Sequence, residues 1–153
     1  MSAAPRVSLA VQYAVAPARL PRPATLRRWA GAAVDRDASV TLRFVGRREG
    51  RALNARYRGA AHPTNVLAFV YDESPRIEGD VVLCAPVLRE EARAQGKALT
   101  DHCAHLVVHG MLHLQGYDHD TDRAARAMEA REKAILAALG VPDPYERAPA
   151  RGR

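Results

Sequence analysis

The chain has 153 residues, 48% of them hydrophobic and 26% charged, with a formal net charge of +6. That length suits a single soluble domain that buries roughly two-thirds of the surface its unfolded chain would expose. The longest apolar runs, such as VLAFVY at 66–71, are too short to span a bilayer, and MSAAPRVSLAVQY lacks the ordered parts of a secretion signal, so a cytoplasmic protein with no membrane partner is expected.

The elements follow in chain order. RVSLAVQY (6–13) alternates apolar and polar residues and predicts a strand. A helix should begin near Pro23, because Leu26, Trp29, Ala30, Ala33 and Val34 form one apolar stripe at helical spacing. SVTLRFV (39–45) predicts a second strand, and the arginine-rich segment 47–58 a short helix burying Leu53 and Tyr57. TNVLAFVY (64–71) is apolar on both faces, which suits a strand in the middle of a sheet. The acidic DESPRIEGD (72–80) contains turn formers, and DVVLCA (80–85) predicts a further strand. Pro86 fits the first turn of a helix running to about Gly96. Thr100 is the expected N-cap of a helix over 101–115, which Gly116 ends. A last helix spans roughly 121–139, with Ala125, Met128, Ile135, Leu136 and Leu139 on one side and Gly140 and Pro142 as its stop. DPYERAPARGR looks disordered. The resulting expectation is an α+β fold: one domain over 1–145 with about four strands in a small mixed sheet and about five helices, followed by a tail at 146–153.

Charge is segregated along the chain. Residues 19–58 hold eleven arginines against Asp35, Asp37 and Glu49, whereas residues 72–91 hold six acids against two arginines. A basic region of this kind is the footprint of a nucleic-acid binder. The bias toward arginine, 21 of the 23 basic residues, also fits a GC-rich coding background. The two cysteines, Cys84 and Cys103, form no C-x-x-C pair and suit a reducing compartment as small buried apolar residues.

The chemistry concentrates in HGMLHLQGYDH (109–119). Histidines 109, 113 and 119 and the glycine at 116 repeat the ligand frame of the metzincin zinc proteases, H-E-x-x-H-x-x-G-x-x-H. His109 and His113 lie about 40° apart on a helix and can reach one ion. His119 cannot do so from the same helix, since ten residues rise about 15 Å, so the chain must fold back at Gly116. Three imidazoles leave an open coordination position, the mark of a catalytic zinc site, and leave the charge of the ion uncancelled. Zinc held this way can bring the pKa of its water to about 7. Gly110 stands where a protease has its catalytic glutamate, which weighs against peptide hydrolysis. Phosphodiester cleavage depends more on neutralising phosphate oxygens, which arginine does well. His102 and His105 fall on or near the same helical face; they can orient a ligand or substrate, or simply pack. Asp118 can accept a proton, orient a ligand, or serve as a turn residue.

This motif, together with LNARYR (53–58), PTNVLAF (63–69) and GDVVL (79–83), strongly resembles the YbeY family of bacterial zinc-dependent proteins from about residue 40 to 120. The resemblance implies a mixed sheet flanked by helices and a single-strand-specific endoribonuclease. The implied role lies in ribosomal RNA processing, including maturation of the 16S rRNA 3′ end, and in ribosome quality control. It implies one Zn2+ on His109, His113 and His119, with Arg58 as the catalytic arginine. The implied partners are single-stranded ribosomal RNA and the ribosome or its small-subunit proteins. One departure is visible: Ala61 stands where the family commonly has an aspartate, which puts a role for that acid in doubt. A ribosome-assembly factor acting mainly by binding, with weak nuclease activity, is the rival reading. A metalloprotease is a more distant one, since it needs another acid near the open metal position.

Overall fold

A computed structural model describes residues 4–58 and 64–146, the side chains of Tyr57 and Arg58 excepted. The elements run β1 (Val7–Tyr13), α1 (Pro23–Ala32), β2 (Ala38–Val45), α2 (Arg47–Arg58), β3 (Val66–Asp72), β4 (Ile77–Cys84), α3 (Ala85–Gln95), α4 (Leu99–Leu114) and α5 (Asp122–Ala138). Among the described residues these are the four strands and five helices of the expected α+β fold. No described helix is long and apolar enough to cross a membrane.

The strand order is β1-β2-β4-β3, with β1 and β4 parallel to β2 and with β3 antiparallel to β4. β3 is therefore an edge strand, not the central one its sequence suggested. Its apolar character has another cause: both of its faces are covered. Leu67 packs with Val45, Val82 and Cys84 under Leu53 and Val87, while Val66 and Ala68 pack toward the main core beneath α4. Helices on both sides make a strand read apolar throughout, wherever it sits in the sheet. Only its far end reaches solvent, where Val70 and Tyr71 are exposed. β4 also starts earlier than DVVLCA suggested, because Ile77, Glu78 and Gly79 already pair with Ala38, Ser39 and Val40 of β2. The expectation that Tyr57 is buried lies outside the described residues.

α4 is the hub of the domain. It packs against α1, α3, α5, β3 and β4, and most of its residues from His102 to Leu114 are buried. Leu26 and Trp29 of α1, Leu42 and Phe44 of β2, Leu83 of β4 and Met128 of α5 fill the core around it. Burying each leucine-sized side chain contributes roughly 1.5–3 kcal/mol. The N-cap of α4 is Ala98 and makes no side-chain bond, so Thr100 lies inside the first turn and does not cap it. Thr121 does cap α5, accepting the N–H of Ala124 at 3.0 Å.

The far end of α4 is fastened to the segment that follows α1, the helix packed beside it. The Gln115 side-chain amide donates to the Ala33 carbonyl, and its oxygen accepts the N–H of Asp35 at 2.9 Å. This clamp fixes the last turn of α4, from which the loop to His119 departs.

Candidate metal centre

His109 and His113 share one side of α4, one turn apart, and both are half-buried. Beyond Leu114 the helix unwinds in the manner expected of a glycine terminator. Gly116 has φ = 97° and donates to the His113 carbonyl at 3.0 Å, while the N–H of Tyr117 returns to the Leu112 carbonyl at 3.1 Å. The reversal brings His119 back over the helix. Its ring centroid lies 5.7 Å from that of His109 and 5.2 Å from that of His113, and the His109 and His113 rings are 4.5 Å apart.

One ligand-capable atom from each of the three residues lies within 4.8 Å of the others. Nε2 of His109 and Nε2 of His113 are 3.0 Å apart, close to the roughly 3.3 Å between two nitrogens bound to one tetrahedral zinc. Three neutral nitrogen donors with a solvent-facing side suit a divalent ion such as zinc. The cleft beside them, about 140 Å³, is walled by Thr64, Asn65, Val66, Ala68 and Gly110.

Gly110, the residue that replaces the protease glutamate, does not face the cleft with a side chain to spare. A Cβ built there would lie 2.7 Å from Cγ1 of Val81 and 3.3 Å from Cγ2 of Val66. α4 approaches the sheet so closely at this point that nothing larger than hydrogen fits without a shift. The missing acid is thus a packing requirement of this helix on this sheet.

The other predicted residues are placed as follows. The Asp118 carboxylate accepts the N–H of Asp120 at 3.2 Å, an Asx turn in the loop that carries His119. His105 lies one turn before His109, and its Nε2 is 3.3 Å from Oε1 of Glu132. His102 is buried and its Nε2 meets Glu91 at 2.8 Å. Burial lowers its pKa from the ordinary histidine value against the opposing pull of Glu91. Cys84 and Cys103 are buried and belong to neither described group of possible metal ligands, and burial pushes the Cys103 thiol up to about 12. Arg58 is the last residue of α2, its side chain outside the described residues, as is Ala61.

Of the basic segment, Arg36, Arg43 and Arg47 pair with Asp35, Glu49 and Glu90. Another cationic group is assembled from distant parts of the chain: Arg19, at the start of that segment, joins Arg89, Arg93 and Lys97 around one cleft.

Three residues of the site escaped the sequence reading. Glu132 of α5 is fully buried, and its carboxylate accepts from Nδ1 of His109, from Nε2 of His105 and from the Tyr145 hydroxyl. Burial would raise its pKa, but these hydrogen bonds outweigh that and hold it down at about 2. Tyr145 belongs to DPY, the start of the segment read as disordered. It is docked instead: Lys97 donates to the Pro144 carbonyl at 3.0 Å, and Asp143 accepts the Tyr145 N–H at 2.8 Å. Glu129 shares a wall with His109, His119 and Tyr145. The signal for Glu132 was present, since it lies four residues after Met128 and three before Ile135, an acid inside the apolar stripe of α5.

A family model described as Endoribonuclease YbeY matches residues 24–140. The chain belongs to the YbeY endoribonuclease family. The Endoribonuclease YbeY of Aromatoleum aromaticum is 54% identical over 147 residues, covering 94% of this chain and 96% of that protein. The Endoribonuclease YbeY of Methylibium petroleiphilum is 51% identical over 145 residues, covering 94% and 97%. The solution structure of TM1509 from Thermotoga maritima shares the fold, with a TM-score of 0.54 and 21% identity, over 91% of this chain and 99% of that one. The YbeY family is one of hydrolases that cut RNA internally.

Proposed function

We propose that the protein is a metal-dependent endoribonuclease that cuts single-stranded ribosomal RNA in the cytoplasm, including at the 3′ end of 16S rRNA. The observation that carries this reading is the convergence of His109, His113 and His119 on one point beside an open cleft, in a chain of the YbeY family.

In this reading the three imidazoles hold one Zn2+ and cancel none of its charge. When bound, the ion supplies Lewis acidity toward a phosphate oxygen and toward the attacking water. Arg58 neutralises the charge that develops on the scissile phosphate, a task suited to a planar guanidinium. Arg19, Arg89, Arg93 and Lys97 hold backbone phosphates farther along the strand, which positions RNA without reading its sequence. The small ribosomal subunit and its proteins are the partners this substrate brings with it. Gly110 removes the acid on which peptide hydrolysis depends, so RNA and not protein is the substrate.

The test combines metal content with RNA cleavage on protein freed of contaminating nucleases. The parent should carry one zinc per chain and cut single-stranded RNA in preference to duplex. His109→Ala and His113→Ala should lose both metal and cleavage, and Arg58→Ala should lose cleavage while keeping metal. If ribosome maturation persists while all three variants cut RNA as the parent does, the nuclease assignment to this site falls. A parent that binds RNA and supports maturation without cutting would instead establish the binding-factor reading.

A further inference from the structure

We infer that Glu132 is a positioning residue of the metal centre: its buried carboxylate takes the Nδ1–H of His109, so that this imidazole presents its lone pair at Nε2, toward His113 and His119. The inference rests on the metal reading above and deepens it.

The argument is one of proton counting. A neutral imidazole carries a single N–H, and an ionised carboxylate can only accept. Oε2 of Glu132 is hydrogen-bonded to Nδ1 of His109, while Nε2 of the same ring faces Nε2 of His113 at 3.0 Å. The proton therefore belongs on Nδ1 and the lone pair on Nε2. A histidine free to exchange tautomers would spend part of its time with a proton where the ion must bind. Partners of this kind orient metal-binding histidines and make them better ligands.

The carboxylate is itself over-determined. Glu132 is 0% exposed, and an unpaired charge there would be strongly disfavoured. His105 and the Tyr145 hydroxyl both meet Oε1, leaving Oε2 for His109. Tyr145 is in turn fixed through Pro144 to Lys97 of the α3–α4 loop and edge-on against the His105 ring at 5.3 Å. The segment 143–145 is thus a strap that holds the carboxylate in register with His109. His105, His109 and Glu132 also have donor atoms within 4.8 Å of one another. They do not form a second metal site, because Nδ1 and Oε2 are in direct hydrogen bond and leave no space for an ion between them.

The tautomer can be observed in the metal-free protein by long-range 15N–1H NMR of the histidine rings, with His109 assigned by its absence in His109→Ala. The parent should show His109 protonated at Nδ1. Glu132→Ala should give a mixture of tautomers and a zinc affinity, from chelator competition, lower by about 10–100-fold. Glu132→Gln keeps an acceptor for Nδ1–H, so it should retain the parent tautomer and recover most of that affinity. Tyr145→Phe, which leaves the ring in place, should lower affinity in the same direction by a smaller factor. A carboxylate with only a structural role would change the unfolding temperature without moving the tautomer. If Glu132→Ala does not fold, Glu132→Gln and Tyr145→Phe still decide the matter. Parent-like affinity in Tyr145→Phe, together with a mixed or Nε2-protonated His109 in the parent, overturns the proposal. A parent that binds no zinc sinks the metal reading instead, leaving the positioning claim to the tautomer alone.

Discussion

Replacing Gly110 by alanine adds one methyl group at the closest contact between α4 and the sheet. That methyl would sit 2.7 Å from Cγ1 of Val81, 3.3 Å from Cγ2 of Val66 and 3.4 Å from Cγ2 of Val81. Favourable carbon–carbon contact begins at about 3.5 Å, so the shortest of these is about 0.8 Å too close. Val81 is fully buried on β4 and its short branched side chain has nowhere to turn. Overpacking of this kind costs about 1–3 kcal/mol, and the better helix propensity of alanine returns about 1 kcal/mol. The net loss is up to about 2 kcal/mol, or a fall of up to roughly 8 °C in Tm for a chain of this length. Thermal unfolding of the metal-free protein measures it directly. A Val81→Ala background separates crowding from any other cause: there Gly110→Ala should be neutral or stabilising, giving a coupling of at least about 1 kcal/mol. Stabilisation by Gly110→Ala in the parent, equal to that in the Val81→Ala background, would refute the claim that crowding excludes a side chain at 110. By the same reasoning Gly110→Glu should not confer peptide hydrolysis.

Gly116 adopts φ = 97° with open space around it, so Gly116→Ala meets no clash but pays the left-handed penalty of about 1–2 kcal/mol; its Tm and its zinc affinity should both fall. His102 is buried beside Glu91, His105 and Lys97 with its pKa lowered, so the unfolded chain takes up its proton first as pH drops. The stability this residue supplies is fully present above the unfolded pKa near 6.5 and declines as pH falls from there toward the folded value; His102→Gln should flatten that decline in metal-free protein. Arg93→Ala should weaken binding to single-stranded RNA alike for all sequences and reduce the slope of log affinity against log salt by about 1 or less, measured by fluorescence anisotropy.

Much of the fold is written locally. The stripe of Leu26, Trp29 and Ala30, the alternation in β1 and β2, and the Gly116 terminator each depend on neighbours within a few residues, which is the range a sequence pattern conveys. β3 shows the limit: an apolar run records that both faces are covered, not which strands lie beside it. Thr100 shows another, since a cap depends on where the first turn is packed, and α4 starts at Leu99 under the constraint of its neighbours.

From sequence alone came the spacing of three histidines on a helix and a glycine turn, because helical pitch and the freedom of glycine are properties of the local chain. Only the tertiary structure put Glu132 against His109, 23 residues away, and bound Tyr145 to the same carboxylate. It alone turned Gly110 against Val81. Such partnerships depend on how α5 and β4 pack around α4, and packing joins side chains that share no local pattern.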